Sequence, residues 1–200
     1  MAEEGLIDLS ADPYDLFERW LGDAEQSEPN DYNAMTLASA DAMGRPSARM
    51  VLLKDWAPHR FVFYTNYDSR KGKDLEANAH AALLFHWKSL RRQIRIEGCI
   101  ENVSDQEADE YFASRPRASQ IGAWASNQSQ PMEGRLAFEK NIAKYTAKFA
   151  VGAVPRPPRW SGFCVVPERI EFWQDRKFRL HDRVEFLRQQ DEWVTRRLYP

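Results

Sequence analysis

Cysteine is scarce in this chain. Cys99 and Cys164 are the only two, far apart and outside any C-x-x-C spacing. That excludes a disulfide framework and a zinc ribbon and fits a reducing compartment, the cytoplasm. Long hydrophobic runs are missing as well. No stretch approaches the ~18 uninterrupted apolar residues of a membrane helix. Residues 1–9 carry Glu3 and Glu4 where a secretory leader would be basic. Net charge is nearly absent: 28 Lys and Arg against 30 Asp and Glu leave −2. Nothing therefore draws the whole molecule toward nucleic acid or an anionic membrane, and any anion site has to be local. There is no G-x-G-x-x-G, Walker loop, H-E-x-x-H or G-x-S-x-G elbow. His59, His80 and His86 have no partners at ligand spacing, so no metal is expected.

The residues that are present describe a globular chain. At 43% hydrophobic and 29% charged over 200 residues, it can bury a core without cross-links, and no interior stretch reads as a linker, so one domain over residues 1–200 is expected. Residues 1–11 read as a flexible lead. Asp12-Pro13 then places an N-cap before a proline at the first helical position, with Leu16, Phe17, Trp20 and Leu21 on one face, so a helix over residues 12–28 should pack on the core. Alternating apolar runs predict strands over 34–40, 46–55 and 60–66, joined as a simple antiparallel meander. Further strands are expected over 81–87, 93–103, 161–166, 169–174, 184–188 and 193–198. Asp68 and Ser69 can cap a helix to Asn78, and Ser104 with Glu107 forms a capping box for one ending near Arg115, before Pro116. Residues 133–150 carry a helical stripe of Phe138, Ile142, Tyr145 and Phe149. The sum is a mainly β chain with α-helices, an antiparallel closed or split barrel with helices outside it.

Several constellations could carry chemistry. In Arg179-Leu-His-Asp-Arg183, an extended backbone would put Arg179, His181 and Arg183 on one face, suited to an anionic or electron-accepting ligand; a solvated outer face has the same pattern. Arg70, Lys71 and Lys73 fall in the first turn of a predicted helix, where the macrodipole disfavours cations and a bound phosphate would resolve the conflict. Arg49 and Lys54 are five apart, so a regular strand points them to opposite faces. Tyr111 and Arg115 share a helix face, and Ser119 follows the Pro116 break, which makes a second candidate phosphate grip.

Taken in order, Arg49-Met-Val-Leu-Leu-Lys54, Phe63-Tyr-Thr65, Ser69-Arg-Lys71, Gln93-Ile-Arg-Ile-Glu-Gly98, Ser126-Asn-Gln-Ser-Gln-Pro131, Ile170-Glu-Phe-Trp173 and Arg179-Leu-His-Asp-Arg183 resemble the pyridoxamine 5′-phosphate oxidase family, from about residue 12 to the end. The resemblance implies an FMN-binding split β-barrel with peripheral helices, working as a homodimer with two sites at the subunit interface. It also implies oxidation of pyridoxamine or pyridoxine 5′-phosphate to pyridoxal 5′-phosphate, with hydride passing from the 4′ carbon to flavin N5 and O2 reduced to H2O2. By the same resemblance Arg49, Met50, Val51, Leu52, Leu53, Lys54, Tyr64, Thr65, Arg70 and Lys71 hold FMN. Gln93, Trp173 and Arg183 contact the flavin, and Gln128 with Ser129 reach it across the dimer interface. Substrate phosphate falls to Lys54, Tyr111, Arg115 and Ser119, and the pyridine ring to Arg179, Leu180 and His181, with His181 or Asp31 as proton acceptor. Longer members carry an N-terminal arm over the substrate, which has no counterpart here. The rival readings keep the fold with another substrate, or make the chain a non-catalytic carrier of flavin or pyridoxal phosphate. A nucleic-acid module built on Arg91, Arg92 and Arg95 conflicts with the net negative charge.

Overall fold

Asp12 does cap the first helix: its Oδ1 accepts from the backbone N–H of Tyr14 at 2.8 Å and of Asp15 at 3.2 Å. That helix, α1 (Pro13–Ser27), buries Leu16, Phe17, Trp20 and Ala24. Phe17 meets Trp56, Phe61 and Phe85 edge-on, with ring centroids 4.9 to 5.6 Å apart, so α1 is bound to the main core by aromatic contacts. The structure, a computed structural model, describes residues 5–200. Residues 1–4 of the expected flexible lead lie outside it. The described part of that lead is anchored: Ile7 is buried, and its N–H donates to Asp182 Oδ2 at 2.6 Å.

The next three strands depart from a meander. β1 (Ala34–Ala40) and β2 (Pro46–Leu52) pair as expected, around a turn whose Gly44 has φ 76°. The expected 46–55 strand, however, breaks at Leu53 and Lys54, and a short β3 (Asp55–Ala57) pairs instead with β4 (Arg60–Asn66). With β5 (His80–Trp87), β6 (Arg92–Asn102) and β7 (Trp160–Gln174), the sheet runs β2-β1-β5-β6-β7-β4-β3. Its two ends are consecutive in sequence. Leu53 N–H donates to Asn33 O and the next residue, Lys54, donates to Val62 O, each at 2.9 Å, so the chain itself closes the sheet into a barrel.

β7 explains why the barrel is split. Expected as two strands, it is one, and it pairs with β6 along its length. Its first half also pairs with β4 (Phe61↔Val165 through Asn66↔Trp160), and its second half with β8 (Asp182–Gln189), which in turn pairs with β9 (Glu192–Leu198). The change of neighbour falls at a bulge. Register shifts between Glu97 and Gly98, opposite Pro167, a residue with no N–H to give to a ladder. Gly98 is required there, because a Cβ would fall inside contact distance of Val166 O. Gly98→Ala is expected to cost about 2–3 kcal/mol, since backbone must move to admit it. A urea midpoint unchanged from that of the original protein would contradict this.

The remaining helices are α2 (Arg70–Ala77), α3 (Asp105–Ser114), α4 (Arg117–Ala125) and α5 (Arg135–Lys148). Ser69 caps α2, and Ser104 with Glu107 forms the capping box of α3, as the sequence indicates. α4 has no counterpart in the sequence reading. α5 is two residues shorter at each end than expected, and of its stripe Phe149 is buried while Phe138 is 40% exposed. Phe112, Ile121, Phe149, Val154 and Trp160 form a second core that holds α3, α4 and α5 against the start of β7.

Candidate active site

A cavity of about 540 Å³ opens where the break after β2, the end of β4, the start of α2 and the α3–α4 pair meet. Lys54, Tyr64, Thr65, Lys71, Tyr111, Arg115, Ser119, Gln128 and Trp160 line it, with the end of β2 forming one wall. Among the described residues no carboxylate does so, although Asp and Glu number 30 in the chain. The break at Leu53 and Lys54 is what admits Lys54: Leu53 turns into the core, and Lys54 is exposed to the cavity. Arg49 points elsewhere. Its Nη1 donates to Ser39 Oγ at 2.7 Å and to Leu37 O at 3.2 Å, its Nη2 donates to Ser47 Oγ at 2.7 Å, and Asp74 lies 3.5 Å away. The two cations of the Arg49-to-Lys54 run therefore serve different places, Arg49 within the β1–β2 pair and Lys54 beyond the end of β2.

The cations here are held by neutral groups. Lys71 Nζ donates to Thr65 Oγ1 at 3.1 Å, Gln128 Oε1 at 3.2 Å and Ser69 Oγ at 3.4 Å. Burial, with the nearby Arg49 charge adding to it, pushes the Lys71 ammonium below its ordinary value. Arg115 lies with its guanidinium carbon 4.8 Å from the Trp160 ring centroid and 5.6 Å from that of Phe112, and burial lowers its pKa too. Its Nη1 is buried with no hydrogen-bond partner. An unmade donor on a buried cation is costly unless an anion arrives to accept from it. Tyr64 stacks on Tyr111 at 4.0 Å and on Trp160 at 5.4 Å, and burial pushes its hydroxyl up to about 12, so it is neutral and can donate. The donor set and the orphaned guanidinium nitrogen fit phosphate groups such as that of FMN.

A second group forms at the far end of β7. Gln93 pairs with Trp173 and Trp173 with Arg183, so these three stand in one row across β6, β7 and β8. The His181 ring lies 4.7 Å from that of Trp173. The expectation that Arg179, His181 and Arg183 share a strand face is corrected here. Lys177–Arg179 is a 3-10 turn with Phe178 and Arg179 in left-handed backbone (φ 58° and 62°), and β8 begins only at Asp182. His181 and Leu180 instead line a separate cavity of about 510 Å³ with Leu6, Arg197 and Tyr199, while Arg179 is exposed. Trp160 opens β7 and Trp173 is its last residue but one. At ~3.3 Å per residue they are on the order of 40 Å apart along the strand, so the two groups stand at opposite ends of β7.

Two family models cover most of the chain: pyridoxamine 5′-phosphate oxidase over residues 21–149, and the pyridoxine 5′-phosphate oxidase C-terminal dimerisation region over residues 160–200. The chain is 62% identical over 191 residues to the pyridoxine/pyridoxamine 5′-phosphate oxidase of Azorhizobium caulinodans, covering 94% of this chain and 90% of that protein. The chain belongs to the pyridoxamine 5′-phosphate oxidase family. Among solved structures, PhzG from Burkholderia lata, in complex with tetrahydrophenazine-1-carboxylic acid, superposes with a TM-score of 0.92 at 31% identity over 98% of both chains. A pyridoxamine 5′-phosphate oxidase-related, FMN binding protein from Nostoc punctiforme shares the fold, with a TM-score of 0.75 at 16% identity over 96% of this chain and all of that one.

As a member of this family the chain brings Lys54, Tyr64, Thr65, Lys71, Tyr111, Arg115, Ser119 and Gln128 to one cavity, together with Met50, Val51 and Leu52. Gln128 Oε1 lies 3.2 Å from Thr65 Oγ1 and lines this cavity in its own chain. Ser129, with φ 69°, lines an adjoining cavity instead. Arg70 is exposed at the start of α2, and Asp31 is exposed in the turn before β1, with φ 32° and outside these cavities. The sequence reading missed Asn66, Gly122, Ala123, Ser126, Phe138 and Trp160, all of which line the main cavity. Recognising α4 would have found Gly122 and Ala123, and the signal was Ile121 and Ala125 at helical spacing after Pro116.

Proposed function

We propose that this protein is an FMN-dependent oxidase that converts pyridoxamine or pyridoxine 5′-phosphate to pyridoxal 5′-phosphate. The observation that carries the reading is a cavity lined by Lys54, Lys71 and Arg115, with no carboxylate among the described residues that line it and with a buried guanidinium nitrogen lacking an acceptor, in a chain of this family. Lys71, Thr65 and Gln128, with Arg49 and Arg70 behind them, would hold the FMN phosphate end, and Lys54, Tyr111, Arg115 and Ser119 the substrate phosphate. FMN, once bound, would supply the two-electron acceptor for this oxidation, with O2 as the terminal oxidant. The chain's own residues bind both phosphates, keep water from the reacting faces with the Tyr64, Tyr111 and Trp160 rings, and orient the substrate carbon.

The site is completed by a second copy. Around the 3-10 turn, Leu6, Phe178, Leu180 and Tyr199 are 67–93% exposed, a concentration of apolar surface that a lone subunit has no use for. It lies beside His181 in the stretch matched by the dimerisation-region model. A homodimer that seats Gln93, Trp173, Arg179, Leu180, His181 and Arg183 of one subunit at the main cavity of the other would join two groups that one chain holds apart. Leu180→Glu is then expected to turn a dimer into a monomer in light scattering and to release FMN with it. A flavin-bearing dimer would argue against this arrangement. The free thiols Cys99 and Cys164 fit work in the cytoplasm.

PhzG, at 31% identity, is a relative whose bound ligand, tetrahydrophenazine-1-carboxylic acid, carries a carboxylate and no phosphate, so the same fold with another substrate is the second reading. Arg115 beside Lys54 favours a dianionic phosphate. Purified protein supplied with pyridoxamine 5′-phosphate under air should form aldehyde and peroxide together, and unphosphorylated pyridoxamine should react far more slowly. Equal rates on the two would sink the phosphate assignment.

A further inference from the structure

The His181 ring is held by more than the Trp173 face. Its Nδ1 lies 2.8 Å from Asp175 Oδ1, a carboxylate that also accepts from the Arg91 guanidinium through Oδ2. Backbone bonds hold this carboxylate in place as well. Asp175 N–H donates to Arg91 O at 3.0 Å, and Gln174 Nε2 donates to Leu90 O and Arg91 O at 3.2 Å, so the start of the segment after β7 is fastened to the loop between β5 and β6. Asp175 has no part in the cavity that grips phosphate. Among the contacts of its side chain are one cation and one imidazole.

Two groups compete for Nδ1. The Arg176 N–H reaches it at 3.3 Å, which requires the tautomer with the proton on Nε2. The Asp175 carboxylate reaches it at 2.8 Å, which requires the proton on Nδ1. A charge-assisted bond at the shorter distance outweighs a long amide contact. We propose that Asp175 is a positioning residue for His181: it holds the ring with Nδ1–H on its carboxylate, so that Nε2 is the nitrogen offered to the substrate. The consequence for chemistry rests on the function proposed above; the hold on the ring does not. With Nε2 unprotonated, His181 can accept a hydrogen bond or a proton from the substrate's 4′ substituent, and the wrong tautomer could only donate there.

The test uses the full-length protein loaded with FMN. Long-range proton–nitrogen correlation spectra report the tautomer of each imidazole, and the His181 signal is assigned by its loss in His181→Gln. The original protein should show mainly the Nδ1–H form at His181. Asp175→Ala should swing it to the Nε2–H form, and Asp175→Asn, which keeps the shape but offers a neutral acceptor, should fall between. In both variants kcat with pyridoxamine 5′-phosphate should drop, by about tenfold in Asp175→Ala, with KM kept within about threefold. An unchanged tautomer in both variants overturns the proposal, and so does a swing with no loss of kcat. If the swing occurs but the original protein does not oxidise pyridoxamine 5′-phosphate at all, the oxidase reading falls while the hold of Asp175 on the ring stands.

Discussion

Arg115→Ala is expected to lower kcat/KM for pyridoxamine 5′-phosphate by about a hundredfold or more, the loss of two charge-assisted hydrogen bonds at about 1.5–3 kcal/mol each. The size follows from the state of the guanidinium before any ligand arrives. It is already desolvated, stacked on Trp160, and has a buried Nη1 without an acceptor. An incoming phosphate therefore gains the bond without the fold having to strip water from the donor. The same substitution should leave the dissociation constant of FMN within about threefold, because the cofactor's phosphate is assigned to Lys71 and its neighbours on the other side of the cavity. Steady-state kinetics and a flavin titration check the two halves of this prediction separately. A large loss of FMN affinity, or an equal loss on unphosphorylated pyridoxamine, would mean that Arg115 has been given the wrong phosphate.

Lys71→Met is expected to act with opposite signs on the empty and loaded protein. Burial and Arg49 lower the Lys71 pKa from its ordinary 10.5, so the folded chain holds this proton less tightly than the unfolded chain does. Near neutral pH the charged ammonium thus costs the flavin-free fold stability. The cost shrinks as pH rises through the folded value and vanishes above the unfolded one. Replacing Lys71 with an apolar chain of similar length should raise the melting temperature of the flavin-free protein near neutral pH by about 2 °C. That gain should disappear in buffers more alkaline than the ordinary lysine pKa. FMN affinity should fall by about a hundredfold, since the phosphate loses a charge-assisted donor in a site with little water. A lower melting temperature for the flavin-free variant would show that the bonds of Lys71 to Thr65, Ser69 and Gln128 outweigh its desolvation.

Much of the local structure could be read from sequence, because it is decided by neighbours in sequence. Asp12 ahead of Pro13 and Ser104 three residues before Glu107 cap their helices by bonds within a single turn. The alternation of Ile94 and Ile96 with Gln93, Arg95 and Glu97 set the register of β6 against the core before any partner strand was known. Two of the cation groups were also readable: Lys71 at a helix start, and Tyr111 with Arg115 one turn apart on α3. The errors came where a distant contact overrides the local pattern. The 46–55 run looks like one strand, and it breaks because Leu53 and Lys54 bond to opposite ends of the sheet. The Arg179-to-Arg183 run looks extended, and it coils because Asp175 holds His181 from behind while Ile7 and Arg197 hold Asp182.

Sequence alone therefore determined which residues carry charge, ring and hydroxyl, in which order, and, where the local period holds as in α1 and β6, on which face they stand, since those properties depend on a period of 3.6 or 2 and on caps a few residues long. It also determined the family. Only the tertiary structure decided which of those faces meet. Barrel closure through Leu53 and Lys54 carried Lys54 to Arg115, and the long β7 set Trp160 and Trp173 at its two ends. Those outcomes rest on hydrogen bonds between residues far apart in the chain, whose pairing no local pattern encodes.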